Sequence, residues 1–178
     1  AGGGTAPVVW LGHRRVAYVG DAFPNNYGIP TSELRYQGYL SALESYGIEF
    51  NANYVALGVH GEEAAFTLTQ ALLNLPEPPT AIFAMSDIQA VGCIQAIRAA
   101  GLRVPEDISV IGFDDVQLSR YVGLTTIRQH LEQSGYMGMQ TLLEMLNTPD
   151  HVLPRQLPPL ELIVRGTTQP FNPVQGAG

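Results

Sequence analysis

The chain has 178 residues, of which 46% are apolar, and it carries a formal net charge of −7. This apolar content predicts a packed hydrophobic core and argues against disorder. The 9 Lys and Arg residues are all arginines, set against 16 acidic residues, so this chain alone is not expected to bind the phosphate backbone of a nucleic acid. No apolar run reaches the roughly 18 residues of a membrane span, and no signal peptide is visible.

Strand and helix signals alternate from the N-terminus to about residue 129. The predicted strands cover residues 15–20, 53–57, 81–84, 109–113 and 125–129. Between them, apolar residues recur at helical spacing over 34–46, 65–75 and 87–100, and Gly47 and Gly101 are fitting stops for two of these helices. Elements of this length in this order predict βαβ units, that is, an α/β fold with a parallel sheet and helices on both faces.

The rhythm changes after Gln129. One more amphipathic helix is predicted from about 131 to 146, stopped at Pro149. Its apolar stripe consists of Tyr136, Met139, Leu142, Leu143 and Leu146. A Pro-rich link then leads into a late strand at 160–165.

The segment 107–115, Asp-Ile-Ser-Val-Ile-Gly-Phe-Asp-Asp, is the most informative stretch of the chain. A fully apolar strand runs straight into two carboxylates, Asp114 and Asp115. Ligands of open α/β sheets bind outside the carboxyl ends of the strands. Other polar residues are expected on the same edge, namely Asp21, Arg35, His60, Ser86 and Asp87. Their convergence predicts a site for a polar small molecule, a metal ion or a cationic group.

Each of these residues also has a simpler explanation. Ser86 with Gln89 matches a capping box, in which both side chains satisfy free amides at a helix start. Asp114 is also a suitable turn former at a strand end, and His60 and Arg35 are also consistent with solvated surface positions. Convergence on one edge favours a shared site over several separate explanations.

Several kinds of site find no support in the sequence. There is no Gly-x-Ser-x-Gly nucleophile elbow and no His-Glu-x-x-His motif, and the four histidines show no metal-ligand spacing. The chain has no lysine to serve a phosphate loop. We therefore expect no catalytic residue, no metal and no cofactor.

The predicted helix 87–100 is apolar almost all round. Its apolar residues include Ile88, Val91, Cys93, Ile94 and Ile97, with Asp87 and Arg98 as its only charged residues. A helix of this kind is buried on more than one side. Either it is sandwiched inside the domain, or one side of it forms a subunit contact.

An ordered set of motifs resembles the lactose/galactose repressor (LacI/GalR) family of bacterial transcription regulators. The strongest are Pro79-Thr-Ala-Ile-Phe-Ala-x-Ser-Asp87, Val104-Pro-x-Asp-Ile-Ser-Val-Ile-Gly-Phe-Asp-Asp115 and Leu124-Thr-Thr-Ile-Arg-Gln129. Weaker matches are the segments 12–20, 35–43, 47–48 and 157–168. They recur in family order over nearly the whole chain, from about residue 11 to 168.

The resemblance implies the effector-binding domain of a periplasmic-binding-protein-like (type I) fold, with a flavodoxin-like parallel sheet lobe and a ligand, often a sugar, between two lobes. By analogy, Arg35, Ser86 and Asp114 occupy ligand-contact positions, with Ser86 standing where the family often has Asn. His60 falls near a position that often carries an aromatic stacking residue. Gln129 lies near the crossover between lobes.

The resemblance also divides the chain. Residues 14–129 and 157–168 would form the C-terminal lobe, whereas 1–13 and 130–156 would belong to an N-terminal lobe whose remainder, like the helix-turn-helix of the family, is absent from this sequence. Residues 169–178 are expected to be a tail. Residues 1–10 should be the end of a first-lobe helix, yet Pro7 and three glycines make a poor helix.

We therefore expect the effector-binding core of a cytoplasmic, non-enzymatic regulator that responds by lobe closure to a small polar molecule, a sugar or a related compound. The family implies a homodimer, formed here through Ile88, Val91 and Ile94, and contact with operator DNA only through the absent helix-turn-helix. One alternative is an exported sugar-binding protein of a transporter. Another is a magnesium-dependent phosphoacceptor, with carboxylates from Asp21, Asp87 and Asp114.

Overall fold

A six-stranded sheet runs through the chain in the order β2-β1-β3-β4-β5-β6. The computed structural model describes residues 6–23, 31–147 and 158–172. The strands are β1 Val16–Asp21, β2 Val55–Gly58, β3 Ala81–Ala84, β4 Ser109–Asp114, β5 Thr125–Arg128 and β6 Glu161–Ile163. Strands β1 to β5 are parallel to their neighbours, and β6 pairs antiparallel with β5. The predicted α/β fold with a parallel sheet is confirmed.

Helices connect these strands in the predicted alternation. They are α1 Ala6–Trp10, α2 Thr31–Ser45, α3 Glu62–Leu73, α4 Asp87–Ala99, α5 Gln117–Tyr121 and α6 Leu131–Asn147. The short α5, between β4 and β5, was not predicted from the sequence. Across the described ranges, no helix combines the length and the apolar character needed to cross a membrane.

Two apolar layers cover the two faces of the sheet. Because successive strand residues point to opposite faces, β1 contributes Ala17 and Val19 to the layer beneath α3 and α4. It contributes Val16 and Tyr18 to the layer beneath α1 and α2. All four residues of β3 are buried, as expected for a parallel strand covered on both faces. The ends of the central strands therefore project from a sheet that is packed on both faces.

Helix α4 packs on β3 and β4 and lies beside α3, which covers β1 and β2 on the same face of the sheet. Ile94 is buried in the layer shared with α3, and Gly92 approaches the Glu62 carbonyl of α3 so closely that a Cβ would overlap it. Ile88 remains 38% exposed and Val91 half-buried. The helix is thus sandwiched over most of its circumference, and Ile94 packs within the chain. Ile88 and Val91 are the two predicted interface residues that remain accessible.

The N-terminal residues form a helical turn that their composition disfavours. Helix α1 covers Ala6–Trp10, although Pro7 and the preceding glycines predict a poor helix. Pro7 lies in the first turn of the helix, where backbone N–H groups have no carbonyl acceptor within the helix. The absence of an N–H on proline therefore costs no helical hydrogen bond there. Val8 and Val9 are buried in the layer shared with α2. Tertiary packing thus outweighs the weak intrinsic propensity.

The residues after β6 return to the edge of the sheet where the parallel strands begin. His13 Nε2 lies 3.1 Å from the Gln169 carbonyl, and the rings of His13 and Phe171 are 5.6 Å apart. Gln169 also donates its backbone N–H to Ser109 Oγ at 3.2 Å. Residues 169–172, where the predicted tail begins, therefore contact the body of the fold. The rest of that tail, the stop at Pro149 and the link after it lie outside the described residues.

Helix α6 stands apart from both apolar layers. None of its residues is buried, and its stripe is open to solvent, with Tyr136 65%, Met139 59% and Leu146 70% exposed. Burying each such side chain would contribute about 1.5–3 kcal/mol. The helix therefore lacks the tertiary packing that stabilises most helices of this length.

In the isolated chain we expect the amides of α6 to exchange with solvent much faster than those of β3 and β4, by on the order of a hundredfold or more. Local opening of α6 exposes no buried apolar surface, whereas opening of the central strands exposes both layers. Hydrogen exchange followed on peptides checks this. Protection in α6 equal to that in β3, in a sample shown to be monomeric, would contradict it.

Candidate functional site

The carboxyl ends of the five parallel strands meet at one edge of the sheet. Strand β1 ends at Asp21 and β4 at Asp114. His60, Ser86 and Gln129 follow the ends of β2, β3 and β5 within two residues. The structure therefore brings the candidate residues predicted after strand ends to a common edge, as the parallel topology requires.

Arg35, Asp114 and Gln129 form the first cluster at this edge. The Arg35 guanidinium lies 3.0 Å from Asp114 Oδ1, and Gln129 donates its side-chain amide to the same oxygen. Arg35 also donates to the Met85 carbonyl at 2.7 Å and lies 4.2 Å from the centre of the Phe113 ring. Four contacts thus fix the position of two charged side chains that are only 13% and 21% exposed.

The environment of Asp114 disfavours the ionised form of its carboxyl group. Burial raises the pKa of this carboxyl, and the nearby Arg35, the hydrogen bond from Gln129 and the charge of His60 offset only part of that effect, so the pKa stays above its ordinary value. Within the described residues, the bonds from Arg35 and Gln129 both fall on Oδ1.

A second cluster centres on Asp21. Asp21 Oδ1 lies 3.0 Å from His60 Nδ1 and accepts a hydrogen bond from Gln89 Nε2 at 2.9 Å. The Ser86 hydroxyl donates to Gln89 Oε1 at 3.2 Å, and it accepts from the Gln89 backbone N–H at 3.3 Å. The Ser86 half of the predicted capping box is therefore present. The Gln89 side chain bonds the Ser86 hydroxyl and Asp21 instead of a free backbone amide, and this chain of hydrogen bonds reaches His60.

Two members of this second cluster were not among the ligand-contact residues implied by the family resemblance. Asp21 was predicted at the shared edge and as a carboxylate of the phosphoacceptor alternative, and Gln89 was predicted only as the capping partner of Ser86. The strand-end position of Asp21 was the available signal. Nothing in the sequence indicates that Gln89, whose side chain is fully buried, joins Ser86 to Asp21.

A small cavity opens beside the first cluster. It has a volume of about 220 Å³, and its lining includes Arg35, Phe83, Phe113, Gln129 and Leu160. An apolar pocket with a few convergent polar groups is the usual form of a small-molecule site. The Arg35 guanidinium and the Gln129 amide thus face a space that a compact polar ligand with an apolar face could enter.

Asp114 and Asp115 form an unusual turn. Their φ angles are 118° and 57°, which residues other than glycine adopt rarely because the Cβ is crowded there. Asp115, with a side chain only 1% exposed, is held by Arg128 at 2.7 Å and by Arg165 at 2.6 Å. The turn that presents Asp114 is therefore fixed by strong contacts of its neighbour.

The comparisons with known proteins agree with this architecture. The model of the periplasmic binding protein-like domain family matches residues 8–168. A probable HTH-type transcriptional repressor ExuR of Bacillus subtilis is 40% identical over 144 residues, which are 80% of this chain and 43% of that protein. The HTH-type transcriptional repressor CytR of Escherichia coli is 38% identical over 160 residues, or 89% of this chain and 46% of that protein.

Solved structures give the same result. The crystal structure of a LacI family transcriptional regulator of Enterococcus faecium with bound ribose superposes with a TM-score of 0.83 at 26% identity, covering 94% of this chain and 61% of that one. The chain spans somewhat less than half the length of the two repressors above. The resemblance seen in its motifs is confirmed: the chain belongs to the periplasmic binding protein-like domain family, in the branch of the LacI-type regulators.

Proposed function

We propose that this chain forms the effector-binding core of a transcription regulator, and that its effector is a neutral sugar or a related polyhydroxylated molecule. The observation that carries this proposal is the cluster of Arg35, Asp114 and Gln129 at the carboxyl edge of the sheet. A guanidinium offers donors and a carboxylate offers acceptors. Placed side by side, they suit a ligand whose adjacent hydroxyls both donate and accept.

The charges of the site favour a neutral ligand. Arg35 is already paired with Asp114, and the second carboxylate, Asp21, is paired with a half-exposed histidine rather than an arginine. An anionic ligand would have to compete with Asp114 for Arg35 and would face a second carboxylate. Hydroxyl groups can instead add to the existing bonds without displacing them.

The relatives support the same class of function. Two carry names of transcriptional repressors, and a similar structure holds ribose. By analogy, effector binding would favour closure of two lobes and so shift the population of the DNA-binding conformation. In this proposal the exposed stripe of α6 packs on a first lobe, and the complete regulator acts in the cytoplasm on operator DNA.

The alternative of a magnesium-dependent phosphoacceptor finds less support. Asp21, Asp87 and Asp114 each accept hydrogen bonds from neutral or cationic side chains. Among the described residues, no group of three or more His, Cys, Asp or Glu side chains is arranged to hold a metal ion. The three carboxylates are thus committed to neighbours of the protein itself.

A thermal-shift screen on the whole natural polypeptide tests the proposal. Candidate ligands are D-ribose, hexoses, disaccharides and ribonucleosides, with D-galacturonate and inorganic phosphate as anionic counterparts. At least one neutral member should raise the melting temperature, since a ligand at 100 times its Kd adds about 2.7 kcal/mol. Stabilisation by the anions alone, or by none of these compounds at millimolar concentration, would contradict the proposal.

We also propose a homodimer in which α4 contributes Ile88 and Val91. These two side chains keep exposed apolar surface, whereas the other large apolar residues of the helix, Cys93, Ile94 and Ile97, are buried. Val91→Asp should split the dimer, because an unpaired carboxylate buried in an interface costs several kcal/mol. Sedimentation velocity checks this, with Arg98→Asp at an exposed position of the same helix as control. An unchanged dimer with folded Val91→Asp would contradict the contact.

A further inference from the structure

Asp87 is a buried carboxylate without a cationic partner among the described residues. The residue is only 1% exposed, and none of the ion pairs in the described part of the chain includes it. Three neutral donors surround it instead. Val116 N–H and Ser119 Oγ donate to Oδ2 at 2.9 and 2.5 Å, and Thr126 Oγ1 donates to Oδ1 at 2.5 Å.

These donors come from three different elements. Val116 follows the Asp114–Asp115 turn directly, Ser119 lies in α5, and Thr126 lies in β5. Asp87 itself is the first residue of α4. One carboxylate therefore ties the start of α4 to the exit of β4, to α5 and to the neighbouring strand.

The sheet leaves room for this carboxylate at Gly112. A Cβ at Gly112 would overlap Asp87 Oδ1 and would also press on Leu124 and Ala90. Gly112 pairs with Thr126 across β4 and β5, so the glycine lies beside the hydroxyl that bonds the carboxylate. This accounts for a glycine inside an otherwise apolar strand, where it lowers strand stability.

The turn that Asp87 holds needs an external constraint. Asp114 and Asp115 both have positive φ, which is unfavourable for residues with a Cβ. The bond from Val116 N–H to Asp87 fixes the backbone immediately after them. The ion pairs of Asp115 hold the middle of the turn, and the Asp87 bond holds its exit. Loss of the Asp87 bond would let the exit relax towards a commoner conformation and swing Asp114 away from Arg35 and Gln129.

We propose that Asp87 is a positioning residue of the effector site: it holds the β4–α5 turn in the strained conformation that presents Asp114 to Arg35 and Gln129. The inference rests on the proposed function of that cluster. Asp87 itself touches no ligand in this proposal, since its two oxygens are buried and occupied by the three donors. Its effect on binding is transmitted through the backbone of residues 114–116.

The test compares Asp87→Ala with the conservative Asp87→Asn in the full chain, using two readouts that need no effector. The first is amide exchange of Val116 under native conditions. The second is the NMR signal of the Arg35 side-chain Nε–H, which reports on the pair with Asp114. In Asp87→Asn the side-chain oxygen can still accept hydrogen bonds from Val116 N–H and Ser119 Oγ. The side-chain NH2 group replaces Oδ1 and can donate to the Thr126 hydroxyl oxygen.

We expect Asp87→Ala to speed exchange at Val116 by at least tenfold and to shift and broaden the Arg35 signal, whereas Asp87→Asn should restore most of both. Asp107→Ala is the matched control, because Asp107 also accepts a backbone N–H, from Arg103 at 2.8 Å, and lies at the opposite edge of the sheet. It should leave Val116 and Arg35 unchanged. A role in stability alone would lower the melting temperature of Asp87→Ala but leave the Arg35 signal of the folded protein as it was, which would overturn the proposal.

If Asp87→Ala does not fold, Ser119→Ala removes one of the three donors and should still speed Val116 exchange severalfold; no change would overturn the proposal. Effector affinity separates this inference from the function on which it rests. A wild-type protein that binds a neutral sugar while Asp87→Ala keeps Val116 protection refutes the positioning role alone. A wild-type protein that binds no sugar, with the Val116 and Arg35 effects present, refutes the function and leaves the turn assignment intact.

Discussion

Asp115→Ala is expected to lower the free energy of unfolding by about 3 kcal/mol, the lower end of the range for breaking a buried ion pair. Its side chain is 1% exposed and bonds Arg128 and Arg165, so its loss leaves two guanidinium groups without their anion. Both arginines retain some solvent contact, which moderates the cost.

Urea unfolding measures the change in the free energy of unfolding. Asp107→Ala, which removes a carboxylate paired with the largely exposed Arg103, should have a much smaller effect. Equal losses in the two variants would contradict the importance of the buried pair.

The same carboxylate should make stability depend on pH. Burial raises the pKa of Asp115, but the bonds and charges of Arg165 and Arg128 outweigh it, and the pKa lies below its ordinary value. A carboxyl with a lowered pKa in the folded state contributes stability above its unfolded pKa of about 3.9 and loses it as the pH falls through the folded value. Asp115→Asn should therefore remove part of the loss of stability on acidification below about pH 4. If the free energy of unfolding of Asp115→Asn falls with pH as steeply as that of the wild type, this assignment is contradicted.

The comparison between variants is needed because other carboxyls shift the opposite way. Burial raises the pKa of Asp87 against the bonds from Ser119, Thr126 and Val116, and the pKa of Asp114 is also raised. Groups with a raised pKa bind protons more tightly in the folded state, so they oppose the loss of stability on acidification. The difference between wild type and Asp115→Asn isolates the contribution of Asp115.

Asp114→Ala is expected to weaken effector binding by about 1.5–3 kcal/mol, or roughly tenfold to a hundredfold, the cost of losing a hydrogen bond to a charged group. It removes the proposed acceptor for a ligand hydroxyl and also frees Arg35 and Gln129, both of which bond the same oxygen. Titration calorimetry with the sugar that stabilises the wild type most measures the change. Asp107→Ala, an aspartate at the other edge of the sheet, should bind with wild-type affinity. Unchanged binding by folded Asp114→Ala would remove Asp114 from the site.

The sequence predicts the parts of this structure that follow from the spacing of apolar residues and from the parallel order of the strands. Apolar runs such as 81–84 and 109–113 predict buried parallel strands, and the parallel order brings Asp114 and Gln129 to one edge. Arg35 reaches the same edge because α2 begins there. These predictions need only the spacing of residues along the chain, which the sequence contains.

Other features depend on which side chains meet in three dimensions. The periodicity of α4 could not distinguish burial against the sheet and α3 from burial in a dimer, because both require the same apolar residues. The link from Ser86 through Gln89 to Asp21 joins residues 68 positions apart, and the three donors on Asp87 come from 29 to 39 positions away. Helix α1 forms despite Pro7 because Val8 and Val9 pack in the apolar layer shared with α2. The local sequence does not reveal this packing.

The location of the effector is the central claim, and a hydrogen-exchange footprint of the whole polypeptide, with and without its best-stabilising sugar, tests it most directly. Bound ligand should slow exchange around Arg35, at residues 114–116 and around Gln129. The opposite edge of the sheet offers a competing cavity of about 490 Å³, lined in part by His13, Glu77 and Glu106. Slowed exchange there, with none at residues 114–116, would contradict the account.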